Sequence, residues 1–297
     1  MAYSSTGGKL PFESASKLGH LKVIESEWVN SLIRDFEIND LGNEALYDNN
    51  IWNDFNINSA EPLKHIWVSD GSFVEITENK KELAFVKTAL MTIEQSKIVK
   101  IDKEFPHPLL MQDIMKDSAL FHATVFPLKN LKSSKGNIFD TVRHIIFDSM
   151  KQDENGLYFE TLKWLVYKKW SEIKENSPSF ECPHCGKKID DGVPYDMDMG
   201  ICPHCKKEVL LTDMIGFHLD MNEDNAPSSV ASSYMLIMEL LMLFTVIRLH
   251  WMNKDKALVS NTLYIKDGPM TLGRQYSKLV PCIREFLQFA KDEERPI

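Results

Sequence analysis

Two Cys-Pro-His-Cys motifs constrain the fold of this chain more than any other feature of its sequence. They begin at Cys182 and Cys202, and sixteen residues separate the first motif from the second. Together they supply four thiolates, the ligand set that holds structural zinc in a tetrahedron with bonds of about 2.3 Å. Because four protein ligands leave no open coordination position, the metal is expected to be structural. The sequence therefore predicts an inserted four-cysteine zinc ribbon with the ligands Cys182, Cys185, Cys202 and Cys205.

The histidines of the motifs and the remaining cysteine bear on the same prediction. Either His184 or His204 could replace a cysteine in a site of three cysteines and one histidine, although we expect both to be loop residues. An odd total of five cysteines argues against a disulfide framework and for a reducing compartment. Cys282 is expected to be a small buried side chain. Since the first twenty residues lack the apolar stretch of a signal peptide, we expect a cytoplasmic protein.

The segment 234–252 is long and apolar enough to be considered as a membrane span. It contains Glu239, Arg248 and His250, however, and each charge at the centre of a bilayer costs about 2.5–3.5 kcal/mol on insertion scales. A helix that is apolar on every side is also typical of the centre of a large soluble domain. We therefore predict a buried core helix and no membrane association.

The net charge limits the kinds of nucleic-acid protein to which the chain could belong. Thirty-four Lys plus Arg against 43 Asp plus Glu give a formal charge of −9 and a pI near 5.5. This excludes a protein that holds nucleic acid through its overall positive charge. A local groove or a partner protein could still provide the contact.

The order of the predicted elements indicates an α/β protein. Short β runs precede two helical segments, and after the cysteines the buried helix leads to one more strand and a last helix. This order favours a mixed sheet flanked by helices. We expect an N-terminal arm with an amphipathic helix (1–60), a core in two parts (61–179 and 214–297) and the ribbon (180–213) between them. The predicted strands are 65–69, 73–77, 83–92, 97–101 and 258–266, and the predicted helices are 21–37, 137–150, 157–173, 234–252 and about 275–291.

Two aspartates occupy similar positions in this pattern. Asp70 and Asp267 each follow an apolar run and precede a glycine, so each is expected at the end of a strand with its carboxylate at the sheet rim. Enzymes that cut phosphodiesters hold divalent metals with such converging carboxylates, and Mg²⁺ or Mn²⁺ suits these hard oxygen ligands. The alternative is a plain turn, because Asp-Gly is a frequent hairpin signal. Pro269 argues against a hairpin at the second position.

Glu239 is the least expected carboxylate, because it lies in the middle of the apolar segment. It is about ten residues past any plausible helix cap, so the helix dipole does not explain it. A buried carboxylate without a partner costs several kcal/mol or becomes protonated. A cation shared with Asp70 and Asp267 would remove that cost. A structural ion pair with an arginine such as Arg143 or Arg248 would do the same, and the sequence leaves both interpretations open.

The segments that carry these acids resemble those of the NurA nucleases. They are DGS at 70–72, MELL at 238–241 and YIKDGPMTLG at 264–273. Between them, NIFDTVRHIIFD at 137–148 and the CPHC motifs running into TDMIGFH at 212–218 resemble bacterial members that carry a zinc ribbon. The likeness extends from about residue 10 to the end of the sequence.

The resemblance implies an RNase H-like mixed sheet and a homodimer with Mn²⁺- or Mg²⁺-dependent deoxyribonuclease activity. That activity would be a single-strand endonuclease and 5′→3′ exonuclease, and two metal ions would lie between the catalytic carboxylates. Asp70, Glu239 and Asp267 match the metal-binding residues of the family by position. Family members continue into further strands after the last helix, so the second part of the core is expected to be incomplete.

The resemblance also implies a partner, a HerA-type hexameric translocase ATPase, in DNA repair by end processing or in antiviral defence. The ATPase would supply most of the electrostatic contact with DNA, which fits the acidic composition of this chain. The alternative is a non-catalytic subunit of such a complex, in which the scaffold and the ribbon bind DNA or a partner and no metal binds the carboxylates.

Overall fold

The computed structural model describes residues 63, 65–94, 119–131, 133, 136–152, 155–253, 256–268, 270, 272, 273 and 276–297. These residues all lie in the second of the two units into which the chain divides, Met1–Ala60 and Glu61–Ile297. The predicted helix at 21–37 and the predicted strand at 97–101 lie outside the described residues.

The described residues form an α/β arrangement in which strands, helices and a cysteine-bearing segment follow one another. In chain order the elements are β1 (His65–Glu78), β2 (Lys81–Glu94), β3 (Ala119–Lys129), α1 (Ile138–Ser149), α2 (Leu157–Val166), β4 (Phe180–Glu181), β5 (Lys188–Ile189), β6 (Met199–Ile201), β7 (Glu208–Leu210), the 3-10 helices Leu211–Ile215 and Phe217–Asp220, α3 (Ser228–Met252), α4 (Lys256–Ser260), β8 (Thr262–Lys266) and α5 (Leu279–Asp292).

Four of these strands form one mixed sheet in the order β3-β2-β1-β8. The β1–β2 and β2–β3 neighbours are antiparallel, whereas β8 is parallel to β1 from the pair His65–Thr262 to the pair Ser69–Lys266. A parallel neighbour requires a crossover connection, and the helices between β3 and β8 lie within that connection. The predicted class, a mixed sheet flanked by helices, is confirmed.

The two faces of the sheet differ in burial. Along β2, Val86, Thr88 and Leu90 are buried, whereas Phe85 and Lys87, which alternate with them, are exposed. Alternate residues of a strand point to opposite faces, so one face packs on the helices and the other is open among the described residues. Asp70 and its neighbour Gly71 therefore lie on opposite faces of β1.

The strand that contains Asp70 differs from the prediction. Residues 65–69 and 73–77 belong to the continuous strand β1, so the expectation that Asp70 follows a strand end was wrong; Asp70 pairs with Ala89 inside the ladder. The chain turns instead at Asn79 and Lys80, whose φ angles of 50° and 64° suit a two-residue type I′ hairpin. Since β8 is in register only as far as Ser69, Asp70 is the first β1 residue beyond that pairing.

Helices α1 and α2 form where the sequence predicted them, but the second is shorter than expected. The side chain of Asn137 accepts a 2.8 Å hydrogen bond from the amide of Asp140 and caps α1. Helix α2 ends at Val166 rather than at residue 173, and Lys168 adopts a left-handed φ of 52° just beyond it. The predicted strand 258–266 also begins late, because α4 occupies Lys256–Ser260.

Helix α3 is the core helix that the sequence predicted. It packs against β1, β2 and α2, and it is the helix among the described residues that is long and apolar enough to cross a membrane. However, 78% of its apolar window is buried inside the protein. Such burial is typical of the central helix of a soluble domain.

The cysteine-bearing segment lies between α2 and α3 in sequence and is held to the helices by ion pairs. Lys163 of α2, whose side chain is 9% exposed, lies 3.0 Å from carboxylate oxygens of both Asp196 and Asp198. Lys151 contacts the same Asp198 at 2.5 Å, and the hydroxyl of Tyr167 donates to the carbonyl of Met197 at 2.5 Å. The loop between β5 and β6 is therefore fixed to the helical layer.

A second attachment is a buried arginine on α1. Nε and Nη2 of Arg143 donate to the two carboxylate oxygens of Asp213 at 2.9 and 2.7 Å, and both side chains are 3% exposed. A carboxylate oxygen of Asp213 also accepts the amide of Leu210 at 2.8 Å. A bidentate pair of this kind fixes both position and orientation, so α1 and the end of the cysteine-bearing segment form one packed body.

Candidate functional site

The four cysteines of the two motifs come together as a metal-binding cluster. Their Sγ atoms all lie within 4.8 Å of one another, with Cys182 to Cys205 at 3.7 Å and Cys185 to Cys202 at 3.9 Å. A tetrahedron with Zn–S bonds of about 2.3 Å has edges of about 3.8 Å. The cluster therefore has the donors and the spacing to hold a structural metal such as zinc.

Each motif and the two residues after it form a knuckle, Cys182–Lys187 and Cys202–Lys207. In each knuckle the amide of the first cysteine donates to the carbonyl five residues later, at 2.9 Å in both. The residue that follows the second cysteine has a left-handed φ, 69° at Gly186 and 61° at Lys206. The two halves of the cluster thus have the same backbone geometry.

The histidines of the motifs bridge the knuckles and are not needed as ligands. Nε2 of His184 lies 2.9 Å from the carbonyl oxygen of Glu208, and Nε2 of His204 lies 3.1 Å from that of Lys188. Each histidine of one knuckle thus contacts the hairpin of the other. The structure favours the ligand set of four cysteines over the alternative in which a histidine replaces one of them.

The aspartates of the two Asp-Gly segments are neighbours at the end of β8. The amide of Asp267 donates a 3.0 Å hydrogen bond to the carbonyl of Ser69. This hydrogen bond belongs to the last parallel pair, Ser69 with Lys266, so Asp70 and Asp267 are the residues that directly follow this pair on the adjacent strands. Both residues are exposed, and neither forms an ion pair with another described residue. Like charges on facing positions of neighbouring strands repel.

Glu239 approaches the same part of β1 from α3. A Cβ atom placed on Gly71 would lie 2.7 Å from Oε1 of Glu239, so the carboxylate sits against the backbone next to Asp70. The residue is 2% exposed. Because alternate residues point to opposite faces, Gly71 is on the helix face of β1 and Asp70 is on the open face. Glu239 therefore reaches the rim from behind the strand.

The partner of Glu239 is a lysine that the sequence did not single out. Nζ of Lys266, the last residue of β8, lies 2.6 Å from Oε2 of Glu239, and the two side chains are 3% and 2% exposed. Burial raises the pKa of Glu239, the ion pair with Lys266 opposes that rise, and the charges of Asp70 and Asp267 add to it. We call Asp70, Glu239, Lys266 and Asp267 the rim site.

The arginines named as alternative partners for Glu239 are engaged elsewhere, so the ion pair that the sequence left open forms with a different residue, Lys266. Arg143 pairs with Asp213, and Nε of Arg248 donates to the hydroxyl of Thr161 at 3.0 Å. The only sequence signal for Lys266 was its place directly before Asp267. A lysine at the end of a strand is ordinarily expected in solvent.

The ligand atoms of the rim site are more widely spaced than those of the cysteine cluster. Within the part of the chain that the structure describes, only the four cysteines form a group whose ligand atoms all lie within 4.8 Å of one another. The three carboxylates lie near the place where the pairing of β1 with β8 ends, but they do not converge to that distance.

Comparisons with protein-family models, curated proteins and solved structures found no match for this chain.

Proposed function

We propose that this chain is a metal-dependent DNA nuclease of the NurA type, with an RNase H-like core. In this proposal it acts in the cytoplasm, as a homodimer, with a HerA-type hexameric ATPase in DNA end processing or antiviral defence. The observation that carries the proposal is the approach of Asp70, Glu239 and Asp267, from three separate elements, to the place where the pairing of β1 with β8 ends. The sheet order, with three antiparallel strands and a later parallel strand beside the first, is compatible with that fold.

The residues of the rim site fit a divalent cation. Asp70 and Asp267 are adjacent, exposed and alike in charge, so a cation between them would relieve their repulsion. Carboxylate oxygens are the ligands that Mg²⁺ and Mn²⁺ prefer. On the helix face, the hydroxyl oxygens of Ser69 and Thr88 are buried and have no hydrogen-bond partner. Glu239 lies behind the strand, and a cation held by Asp70 and Asp267 does not require the oxygens of Glu239 to lie within 4.8 Å of theirs.

The chain's own residues would position the reacting groups. Bound metal would activate the attacking water and stabilise the departing oxygen. Asp70 and Asp267 would hold it at the open face, where a phosphodiester can reach it. Glu239, fixed by Lys266 and by its contact with Gly71, would close the rear of the site to water.

The surroundings of Asp70 suit a single strand of nucleic acid. Asp70 pairs with Ala89 and Ala89 pairs with Phe121, so Asp70 and Phe121 share the open face, where Phe121 is 60% exposed. Phe85 and Lys87 lie on the same face and are also exposed. Aromatic side chains that stack bases, together with a cation that contacts phosphate, are the usual elements of single-strand binding.

One observation favours a second candidate function, a non-catalytic DNA- or partner-binding subunit. Lys266 already neutralises Glu239 inside the protein, so the buried acid needs no metal to be tolerated. The exposed positions of Asp70 and Asp267 favour the nuclease, because a scaffold gains nothing from two facing carboxylates that repel each other.

The test is cleavage of plasmid and single-stranded DNA with Mn²⁺ and the partner ATPase. Asp70→Ala and Asp267→Ala are expected to abolish cutting, while circular dichroism shows that both variants stay folded. Glu75→Gln is the matched control, since Glu75 is an exposed carboxylate of the same strand outside the rim site. Unchanged cutting by both alanine variants would refute the site. DNA binding without any cutting by the wild-type protein would select the non-catalytic alternative.

A further inference from the structure

The buried ion pair of the rim site bears on how many metal ions the site can take, an inference that rests on the proposed function. Nζ of Lys266 lies 2.6 Å from Oε2 of Glu239 and also donates a 2.8 Å hydrogen bond to the carbonyl oxygen of Asp267. The ammonium group is therefore held between the element that carries the buried acid and the residue that carries the second exposed acid. Its side chain is 3% exposed.

The carboxylate of Glu239 faces groups of the protein itself. Oε2 forms an ion pair with Lys266, and Oε1 lies against the strand at Gly71, where an added Cβ atom would be 2.7 Å from it. To bind a metal ion strongly, Glu239 would have to leave the lysine or move away from β1. Asp70 and Asp267 are under neither constraint, since both are exposed and free of ion pairs with other described residues.

The net charge of the rim site also favours a single divalent cation. Three carboxylates and one ammonium leave the rim site with a net charge of minus two, which a single divalent cation balances. A second divalent cation would leave an excess of positive charge beside a buried ammonium, and charges repel strongly at short distance where water is scarce. The site as folded has the charge for one divalent ion.

We propose that Lys266 takes the place of a second metal ion, so that the rim site binds one divalent cation between Asp70 and Asp267. Lys266 is then a positioning residue, which holds Glu239 in the orientation that a metal would otherwise fix. The lysine also prevents a second ion from binding next to Glu239. Replacing it with a neutral side chain of similar length should release Glu239 as a ligand.

The experiment is a Mn²⁺ titration of the full chain with zinc retained, followed by calorimetry and by the electron paramagnetic resonance of free Mn²⁺. One Mn²⁺ per chain is expected for the wild-type protein and for Lys266→Arg, which keeps a cation beside Glu239. Two Mn²⁺ per chain are expected for Lys266→Met, together with a larger rise of Tm on addition of Mn²⁺ than in the wild type.

The double variant Glu239→Gln with Lys266→Met is the matched control, because it removes both buried charges and should fold and bind one Mn²⁺. It also decides the question if Lys266→Met alone fails to fold, because a double variant that binds two ions would contradict the role of Glu239. Two ions on the wild-type protein, or a single ion on folded Lys266→Met, would overturn the proposal. No Mn²⁺ binding to the wild type would instead refute the proposed function on which the inference rests.

Discussion

Gly71 lies directly against the carboxylate of Glu239. A Cβ atom at this glycine would be 2.7 Å from Oε1 of Glu239, 2.6 Å from Cγ of Met235 and 3.0 Å from Cγ2 of Thr88. Real Cβ atoms essentially never show contacts under 3.0 Å, so a larger residue here would force Met235 or Glu239 of α3 to move. The glycine after Asp70 thus serves packing against the helix, and it does not form the turn that an Asp-Gly pair suggests.

Gly71→Ala is expected to destabilise the protein by about 1–3 kcal/mol, because the added methyl group must displace Glu239 or move α3. Urea unfolding measures the change. Ser72→Ala is the control, since Ser72 is exposed in the same strand and should change the free energy of unfolding little. A Gly71→Ala protein as stable as the wild type would show that Glu239 does not rest against this strand.

Arg143→Met is expected to cost about 3–5 kcal/mol, because it leaves the carboxylate of Asp213 buried without its partner. Arg143 also pairs with Asp140 at 2.9 Å, but the Asp140 side chain is 37% exposed. Asp140→Asn should therefore cost less than about 1 kcal/mol. Equal losses in the two variants, measured by urea unfolding, would contradict the assignment of the stabilisation to the buried pair.

The two knuckles allow a paired test of backbone strain. Lys206 has the same left-handed conformation that glycine adopts at Gly186, and this conformation costs a non-glycine residue roughly 1 kcal/mol. Lys206→Gly is expected to stabilise the metal-loaded protein by about 0.5–1 kcal/mol, and Gly186→Ala to destabilise it by about 1 kcal/mol. The free energy of unfolding with zinc present provides the measurement. Changes of the same sign in the two variants would show that the knuckles are not equivalent.

The buried side chain of His218 is expected to make the stability of the protein depend on pH. The residue is 7% exposed, and burial lowers its pKa; the charge of Arg143 adds to this effect, whereas Asp213 and Glu181 oppose it. A lowered pKa means that the unfolded chain binds a proton more readily than the folded chain. The stability contribution is therefore present above about pH 6.5, the unfolded pKa, and is lost as the pH falls towards the folded pKa.

His218→Phe keeps an aromatic ring at this position and removes the titration. Its free energy of unfolding should fall less steeply below about pH 6.5 than that of the wild type, because this group no longer takes up a proton on unfolding. Unfolding curves at a series of pH values measure the two slopes. Parallel curves for the two proteins would contradict a buried neutral imidazole at this position.

The cysteine cluster could be predicted in full because its ligands follow one another at fixed local spacing. Helix α3 was predicted over most of its length, because a long apolar run permits few alternatives, but it begins at Ser228 and not at residue 234. The rim site was predictable only in part. The Asp-Gly pair at Asp70 has the same sequence as a hairpin turn, although it lies inside a strand. The actual turn is formed by Asn79 and Lys80, and no sequence motif predicts their left-handed conformations.

Other errors also arise from tertiary context. Strand β3 was not predicted, and its register with β2 shifts between Glu82 and Leu83, where Pro127 occupies the ladder. Helix α2 stops at Val166 without a glycine or proline at its end. The burial of Lys266 depends on α3, which is distant in sequence, so no local pattern could identify it as the partner of Glu239.

The anchoring of the loop at Asp196 and Asp198 joins the cysteine-bearing segment to the helices energetically. A metal-binding module on a loose tether would unfold separately when its ion is removed. Here Lys163 and Lys151 tie that loop to α2 and to the end of α1, and Arg143 ties α1 to Asp213. Binding of the metal and folding of its ligands are coupled. Because these ion pairs join the ligand segment to the helices, metal binding should also stabilise α1 and α2. Removal of the ion should therefore loosen α1 and α2 cooperatively with the knuckles.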